Sequence, residues 1–95
     1  MRISRLTKRF RREYKKQKRV RGDSIRKLHL VMEMLVDGIG LPAKYRDHAL
    51  HGNWNGCRDC HVEGDWLLVY ELGVNAEGQE TVTFHATDNH ENLFG

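Results

Sequence analysis

The stretch "CRDCHVEGDWLLVYEL", residues 57–72, decides the fold class. Two runs with the composition of β-strands flank Glu63 and Gly64, a pair that favours a tight turn, so the stretch predicts a β-hairpin. "NAEGQ", residues 75–79, predicts a second turn, and "TVTFHAT", residues 81–87, a third strand. Consecutive strands joined by short turns predict a small antiparallel sheet.

The residues that precede this sheet have helical spacing. Leu6, Phe10 and Tyr14 recur every four residues and therefore share one face of a helix over about residues 7–20. Residues 1–5, in which Ile3 is the main apolar side chain, can form a short strand before that helix.

A second helix follows closely. Gly22 ends the first helix, and either Asp23 or Ser24 can cap the next one, which ends near residues 37–38. The second helix has an apolar face made of Ile25, Leu28, Val31, Met32 and Leu35. The sequence therefore predicts an α+β fold over residues 1–95, a single domain with an N-terminal helical hairpin packed on one face of a small antiparallel sheet.

Two segments have no regular pattern. "GIGLPAKYRDHALHGNWNG", residues 38–56, predicts a long loop, and its Tyr45, Leu50 and Trp54 indicate that the loop packs against the domain. "DNHENLFG", residues 88–95, predicts a short polar tail that ends in two apolar residues.

Composition excludes several classes of protein. No apolar run approaches the roughly 20 residues that a membrane span needs, and no secretory apolar region follows the basic N-terminal residues. Two cysteines without an export signal favour a reducing compartment. We therefore expect a cytoplasmic protein with no membrane partner.

Charge is divided unevenly along the chain. Residues 1–28 hold 13 basic and two acidic side chains, a net charge of +11, whereas residues 29–95 hold three basic and 11 acidic ones, a net charge of −8. Such a basic segment predicts a phosphate-rich partner or an acidic protein. The basic side chains that cover the first helix are Lys8, Arg9, Arg11, Arg12, Lys15 and Lys16.

"GCRDCH", residues 56–61, has the cysteine spacing of a c-type haem attachment site, and nearby histidines also permit a zinc site. On a strand, however, Cys57 and Cys60 point to opposite faces and cannot bind one metal ion or one haem together. We therefore expect no metal and no cofactor. A small zinc-binding module stays open as an alternative if this segment is a loop.

The histidines suggest acid–base chemistry. His48, His51, His61, His85 and His90 all lie in the C-terminal half. The strand over residues 57–62 places Asp59 and His61 on one face, where a carboxylate can orient or charge an imidazole that titrates near neutral pH.

Four short elements, in order, carry a family resemblance: His-x-Leu-x-Gly, Arg-Asp-x-His-Val, Asp-Trp, and a final His-x-x-Leu-Phe. The matching residues are His48, Leu50, Gly52, Arg58, Asp59, His61, Val62, Asp65, Trp66, His90, Leu93 and Phe94. With these elements the chain resembles the YafQ branch of the RelE-like toxins of bacterial toxin–antitoxin systems. The resemblance implies a RelE-like fold and an endoribonuclease that cuts mRNA on the 70S ribosome until a cognate antitoxin silences it.

The resemblance also implies a set of functional residues: His48, Asp59, His61, Asp65, His90 and Phe94. We expect His48 and His90 to act as the acid–base pair in metal-free cleavage by the 2′-hydroxyl, and Asp59 to hold His61 as an alternative base or phosphate ligand. Asp65 would orient a histidine or a base edge, and Phe94 would stack on a nucleotide.

One departure from the family pattern concerns the phosphate. Relatives often have an arginine late in the last strand, where this chain has Ala86 and Thr87. We expect Arg58 or a residue of the basic helix to supply the missing charge, or the activity to be weaker. The alternative from another class is a non-enzymatic ParE-like toxin that inhibits DNA gyrase, although such toxins generally lack these acid–base residues.

Overall fold

A computed structural model describes residues 1–95 as a five-stranded sheet with two long helices and one short helix. The strands have the spatial order β1-β5-β4-β3-β2. The elements are β1 (Ile3–Leu6), α1 (Lys8–Arg21), α2 (Ile25–Asp37), β2 (His48–Ala49), β3 (Arg58–Glu63), β4 (Trp66–Val74), β5 (Glu80–Asn89) and α3 (His90–Phe94). No helix is both long and apolar enough to cross a bilayer.

The predicted α+β class is confirmed, but the sheet is not wholly antiparallel. Strand β1 pairs with β5 in parallel, while all the other pairs are antiparallel. The parallel pair joins the first strand to the last one, so the intervening chain supplies the long crossover that parallel strands require.

The helix ends follow local backbone rules. Thr7 caps α1 by accepting a 3.0 Å hydrogen bond from the amide of Phe10, and Gly22, with φ of 55°, ends the helix as predicted. Neither Asp23 nor Ser24 caps α2 with its side chain, because residues 22–24 form a 3₁₀ turn that leads directly into that helix.

The main core lies between the helices and one face of the sheet, and is built of apolar residues from both layers. Its most deeply buried members include Phe10, Leu28, Val31, Trp66, Leu68, Tyr70, Val82 and Phe84. Burial at roughly 25 cal/mol per Å² of apolar surface is the main stabilising contribution here.

A smaller cluster covers part of the opposite face. It contains Cys57, Leu67, Val69, Ala86 and Leu93, and the partly buried Leu50, Trp54 and Phe94 pack against it. The long loop and the C-terminal residues therefore meet on the face that the helical hairpin leaves free.

The strand prediction for residues 57–62 is confirmed by this packing. Cys60 and Val62 belong to the helix-side core, whereas Cys57 belongs to the opposite cluster. Both cysteines are buried and unpaired with each other. The two thiols lie on opposite faces, so they do not form a shared site.

The two irregular segments contain structure that the sequence did not predict. Tyr45 is buried and Trp54 is partly buried, as expected for a packed loop, but residues 48–49 also form the edge strand β2. The expectation of a polar tail from residue 88 is wrong, because β5 continues to Asn89 and α3 follows at once.

Helix α1 runs along the edge of β5 beyond the end of β1. The Thr7 amide bonds to the Phe84 carbonyl at 3.1 Å, the Thr87 amide to Glu13 Oε1 at 2.9 Å, and Lys16 Nζ to Asp88 Oδ2 at 2.9 Å. Side chains of α1 thus occupy the free edge of the strand and reach toward both faces of the sheet.

Candidate active site

The pairing of β2 with β3 makes His48 and Asp59 cross-strand neighbours. His48 Nδ1 lies 3.2 Å from Asp59 Oδ1 and 2.9 Å from the carbonyl oxygen of Arg46. Because both neighbours are acceptors, Nδ1 carries the ring proton and Nε2 holds the lone pair. The His48 side chain is 55% exposed, so this ring is accessible to a substrate.

Asp59 is the buried charge of the site. Its side chain is 3% exposed, and its Oδ1 atom has no well-aligned hydrogen-bond donor. Burial raises the pKa of the Asp59 carboxyl, positive charge on His48 and His61 lowers it, Asp47 raises it and His90 lowers it. Burial is the largest of these effects, so the pKa of Asp59 is raised overall.

His61 differs from the sequence expectation. Its Nδ1 atom lies 2.9 Å from the carbonyl oxygen of Gly64 in the β3–β4 turn, so Gly64 rather than Asp59 orients the ring. The expected exposed Asp59–His61 pair is therefore wrong, since Asp59 is buried and its Oδ1 atom lies 3.2 Å from His48 Nδ1. His61 keeps the same ring arrangement as His48, with the proton on Nδ1 and the lone pair on Nε2.

His90 and Asp65 meet at the start of α3. Asp65 Oδ1 accepts a 3.2 Å hydrogen bond from the His90 amide, and the side chain of Asn89 accepts a 2.8 Å bond from the Asn92 amide. These contacts satisfy backbone donors that the first turn of a helix leaves free. Asp65 therefore positions His90 through its backbone.

Aromatic side chains continue the site from His90. The rings of His90 and Phe94 are 5.1 Å apart and edge-on, and Phe94 meets Trp54 edge-on at 6.0 Å. The Arg9 guanidinium lies 5.3 Å from the Trp54 ring centroid. Trp54, which the sequence indicated only as a packing residue, thus joins α1 to the C-terminal helix.

The expected phosphate ligand Arg58 is turned away from the histidines. On the helix side of β3 its Nη2 atom lies 3.0 Å from Asp47 Oδ2, and Tyr70 donates to the same carboxylate at 2.5 Å. The hydrogen bond to Asp47 raises the pKa of Arg58 further. Arg58 therefore connects β3 to the loop before β2 through its ion pair with Asp47.

The basic helix is divided by its contacts. Lys8, Arg11, Arg12 and Lys15 are exposed, whereas Lys16 is paired with Asp88. Arg9 Nε bonds to Glu13 Oε2 at 3.0 Å, and the side chain stays 39% exposed. Arg9 is thus the residue of this helix that the structure links directly to the aromatic part of the site.

Three potential metal ligands lie close to the candidate site but are not among its predicted acid–base residues. One group of three is formed by Cys57, Glu71 and His85, on the same sheet face as Asp59. None of the predicted acid–base residues belongs to that group.

Comparison with known proteins gives consistent matches. Residues 2–95 match the family described as "Bacterial toxin of type II toxin-antitoxin system, YafQ". The mRNA interferase toxin YafQ of Escherichia coli K12 is 41% identical over 76 residues, which cover 79% of this chain and 77% of that one.

Solved structures match over the whole fold. YafQ in the E. coli DinJ–YafQ complex superposes with a TM-score of 0.86 at 34% identity, over 100% of both chains. The YoeB/ParE toxin from Agrobacterium tumefaciens reaches a TM-score of 0.70 at 14% identity, covering 93% of this chain and 98% of that one, a likeness of fold alone.

Proposed function

We infer that this chain, which belongs to the YafQ family of toxins of bacterial type II toxin–antitoxin systems, is an endoribonuclease that cleaves mRNA. Its E. coli relative bears the name mRNA interferase. The observation that carries the inference is the buried Asp59 carboxylate, with the exposed His48 ring 3.2 Å from it. Imidazoles near a buried carboxylate suit proton transfer near neutral pH.

The proposed reaction is an internal transfer at phosphorus. The 2′-oxygen forms a bond to the phosphorus while the bond to the 5′-oxygen breaks, which gives a cyclic phosphate and a free 5′-hydroxyl. One group accepts the proton of the 2′-hydroxyl and another donates a proton to the leaving oxygen. His48 and His90 take these two roles.

His48 has the environment of a proton acceptor. With its Nδ1 proton directed at Arg46 and Asp59, its Nε2 atom accepts a proton and the resulting cation lies beside a buried anion. His90 at the exposed start of α3 then serves as the donor. His61, fixed by Gly64, is the alternative base or a ligand of the phosphate.

Arg9 is the proposed source of positive charge on the scissile phosphate. Ala86 stands where relatives often have arginine, and Arg58 is committed to Asp47 on the other face. Arg9 is held at its Nε atom by Glu13 and lies over Trp54, so its terminal nitrogens retain donors for a phosphate. It replaces the missing arginine from a different element.

Phe94 and Trp54 are the proposed contacts for bases. Both are partly buried and they meet edge-on, so each keeps part of its ring accessible next to His90. Single-stranded RNA is commonly bound by stacking of unpaired bases on such rings.

Two partners follow from the charge and from the relatives. The exposed basic residues of α1, within a segment of net charge +11, suit rRNA phosphates and support cleavage of mRNA on the 70S ribosome. The E. coli YafQ is found in a complex with DinJ, so we propose a cognate antitoxin for this chain too. Action on translated mRNA places the protein in the cytoplasm, and no small-molecule cofactor enters this scheme.

A translation reaction with purified protein tests the proposal. Mapping of mRNA 5′ ends should give cuts within codons on translated RNA, and fewer cuts on the same RNA without ribosomes. The double variant that combines His48→Ala with His90→Ala should give no such cuts. The control His51→Ala, which changes an exposed histidine outside the site, should cut normally. Intact mRNA together with inhibited DNA supercoiling by gyrase would instead support the ParE-like alternative.

A further inference from the structure

We propose that Cys57, Glu71 and His85 form a binding site for one divalent metal ion of the Zn²⁺ type. Each residue offers one ligand atom, and these atoms lie within 4.8 Å of one another. The site lies on the sheet face opposite the helical hairpin, and its function is separate from the proton transfers assigned above.

The sheet brings the three residues together from separate strands. Arg58 pairs with Tyr70, so Cys57, which precedes β3, lies next to Glu71 on β4. On β5 a β-bulge interrupts the register, because Val69 pairs with Ala86 but Tyr70 pairs with Phe84.

The bulge decides the direction of the histidine. Phe84 belongs to the helix-side core and Ala86 to the cluster on the other face, so His85 is the extra residue between them and shares the face of Ala86. A bulge commonly re-aims a side chain in this way. Here it directs His85 at Glu71, with Nε2 to Oε1 at 2.9 Å.

The donor set fits a tetrahedral ion. Zn²⁺ binds thiolate sulfur at about 2.3 Å and imidazole nitrogen or carboxylate oxygen at about 2.0–2.2 Å, so tetrahedral ligand atoms lie roughly 3.2–3.7 Å apart. Atoms already within 4.8 Å of one another reach these distances by small rotations of the side chains. Three protein ligands leave a fourth position for water.

The three proposed ligands differ in how far they are exposed to solvent. Cys57 is 9% exposed, whereas the side chains of His85 and Glu71 are 27% and 48% exposed. The sulfur is therefore the most deeply buried ligand. The other two side chains can rotate toward an ion that enters from solvent.

Binding exchanges protons for the metal. The Cys57 thiol loses its proton to solvent, and the His85 proton moves from Nε2 to Nδ1 so that the Nε2 lone pair faces the ion. The Glu71 carboxylate already carries the negative charge that the ion needs. No oxidation or reduction is involved.

This site modifies the expectation of a metal-free protein. That expectation rested on Cys57 and Cys60 facing apart, which the packing confirms. It did not include partners for Cys57 that lie 14 and 28 residues away in the sequence. A metal ion there would connect the residue before β3 with β4 and β5, two residues from Asp59.

Titration of the metal-free full chain with Co²⁺ and Zn²⁺ tests the site. Co²⁺ should bind one ion per chain and produce the near-ultraviolet charge-transfer band of a cobalt–thiolate bond, which Zn²⁺ then removes. The same Zn²⁺ should raise the melting temperature, because an ion that binds only the folded state stabilises it by mass action.

Variants separate this site from ordinary surface histidines. Cys57→Ala should abolish the thiolate band, and Glu71→Gln and His85→Gln should each weaken binding at least about tenfold, while His90→Gln should bind as the wild type does. Glu71 and His85 are partly exposed, so their variants keep the proposal testable if Cys57→Ala is unstable. Absence of the band, or binding that depends on His90 instead of His85, would overturn it.

Discussion

At the scale of the single residue, His90 gives the sharpest test of the proposed catalysis. It is exposed, and surface substitutions usually change stability by less than about 0.5 kcal/mol. His90→Ala should nevertheless lose roughly 10²-fold or more in mRNA cleavage, as expected when a general acid or base is removed. Single-turnover cleavage on ribosomes and a melting curve measure the two effects.

The control for this variant is His51→Ala, which removes another exposed histidine and should cleave normally. If His48 and His90 act as one unit, the double variant should lose less than the product of the two single losses. A His90→Ala protein that cleaves at near wild-type rate would transfer the proton-transfer role to His48 and His61.

Arg9 tests the proposed replacement of the missing arginine. Arg9→Ala should lose roughly 10²-fold in the cleavage rate, the usual cost of removing a group that stabilises transition-state charge. Arg9→Lys should recover only part, because an ammonium lacks the planar fork of a guanidinium. Pre-steady-state cleavage of bound mRNA measures this loss separately from ribosome affinity.

Arg12→Ala is the matched control, since Arg12 is exposed on the same helix and has no ion pair or aromatic contact. An equal loss in both variants would mean that general charge, rather than the position of Arg9 beside Trp54, supports cleavage.

The contacts between particular residues could be predicted from the sequence only in part. Alternation along residues 57–62 correctly separated Cys57 from Cys60, because each strand position has only two directions. It could not show that Asp59 contacts His48, since that contact depends on a two-residue strand 11 positions earlier. Nor could it show that Arg58 is bound to Asp47.

At the scale of elements, Asp88 near the end of β5 links α1 to α3. Asp88 is 5% exposed and lies between Lys16 and the first turn of α3, where it also accepts a 3.1 Å bond from Asn92. Burial alone would raise the pKa of Asp88, but the hydrogen bonds from Lys16, Asn92 and the Asn89 amide outweigh it and lower the pKa.

The sign of the lowered pKa sets a pH dependence. The stabilisation by Asp88 is fully present above the ordinary aspartate pKa of about 3.9 and is lost as the pH falls through the lower folded value. Asp88→Asn should therefore reduce the free energy of unfolding by about 1–2 kcal/mol at pH 7. The difference from the wild type should shrink in strong acid.

Urea unfolding at neutral and acidic pH measures this difference. Asp23→Asn, in an exposed aspartate outside the contact, should show no comparable change. A constant difference between Asp88→Asn and the wild type at every pH would show that packing, rather than charge, makes Asp88 important.

Helices and strands could be predicted where apolar residues recur with a regular spacing. The two long helices and the hairpin of β3 and β4 follow from apolar spacing and a turn, and their glycine ends agree with the structure. Strand β2, helix α3 and the bulge at His85 are too short to have a period. They form because β3 and β5 offer free edges and an apolar face, which are tertiary effects.

At the scale of the whole molecule, α1 joins two surfaces of different character. Its exposed basic residues face solvent, while Arg9 and Lys16 on another stripe contact Trp54 and Asp88 near the proposed acid–base residues. Lys16 thus pairs a cation of the basic segment with an acid of the remaining chain, while the exposed cations of α1 stay free for a partner. An RNA strand whose phosphates are bound by α1 could therefore extend toward His48 and His90.

This arrangement predicts steeply salt-dependent binding to ribosomes. Cations that meet nucleic-acid phosphates release counterions, and each such contact contributes about 0.7–0.9 to the slope of log affinity against log salt concentration. Reversing Arg11, Arg12 and Lys15 to Glu should weaken ribosome binding and reduce that slope by roughly two to three. All three are exposed, so circular dichroism and melting should change little.

Lys44→Glu supplies the control, because Lys44 is exposed but lies in the loop rather than on α1. Sedimentation with ribosomes over a range of salt concentrations should leave this variant close to the wild type. If the triple reversal also bound ribosomes normally, the basic face of α1 would belong to another partner. An acidic antitoxin that failed to bind the triple variant would identify that partner, since reversed charges repel an acidic surface.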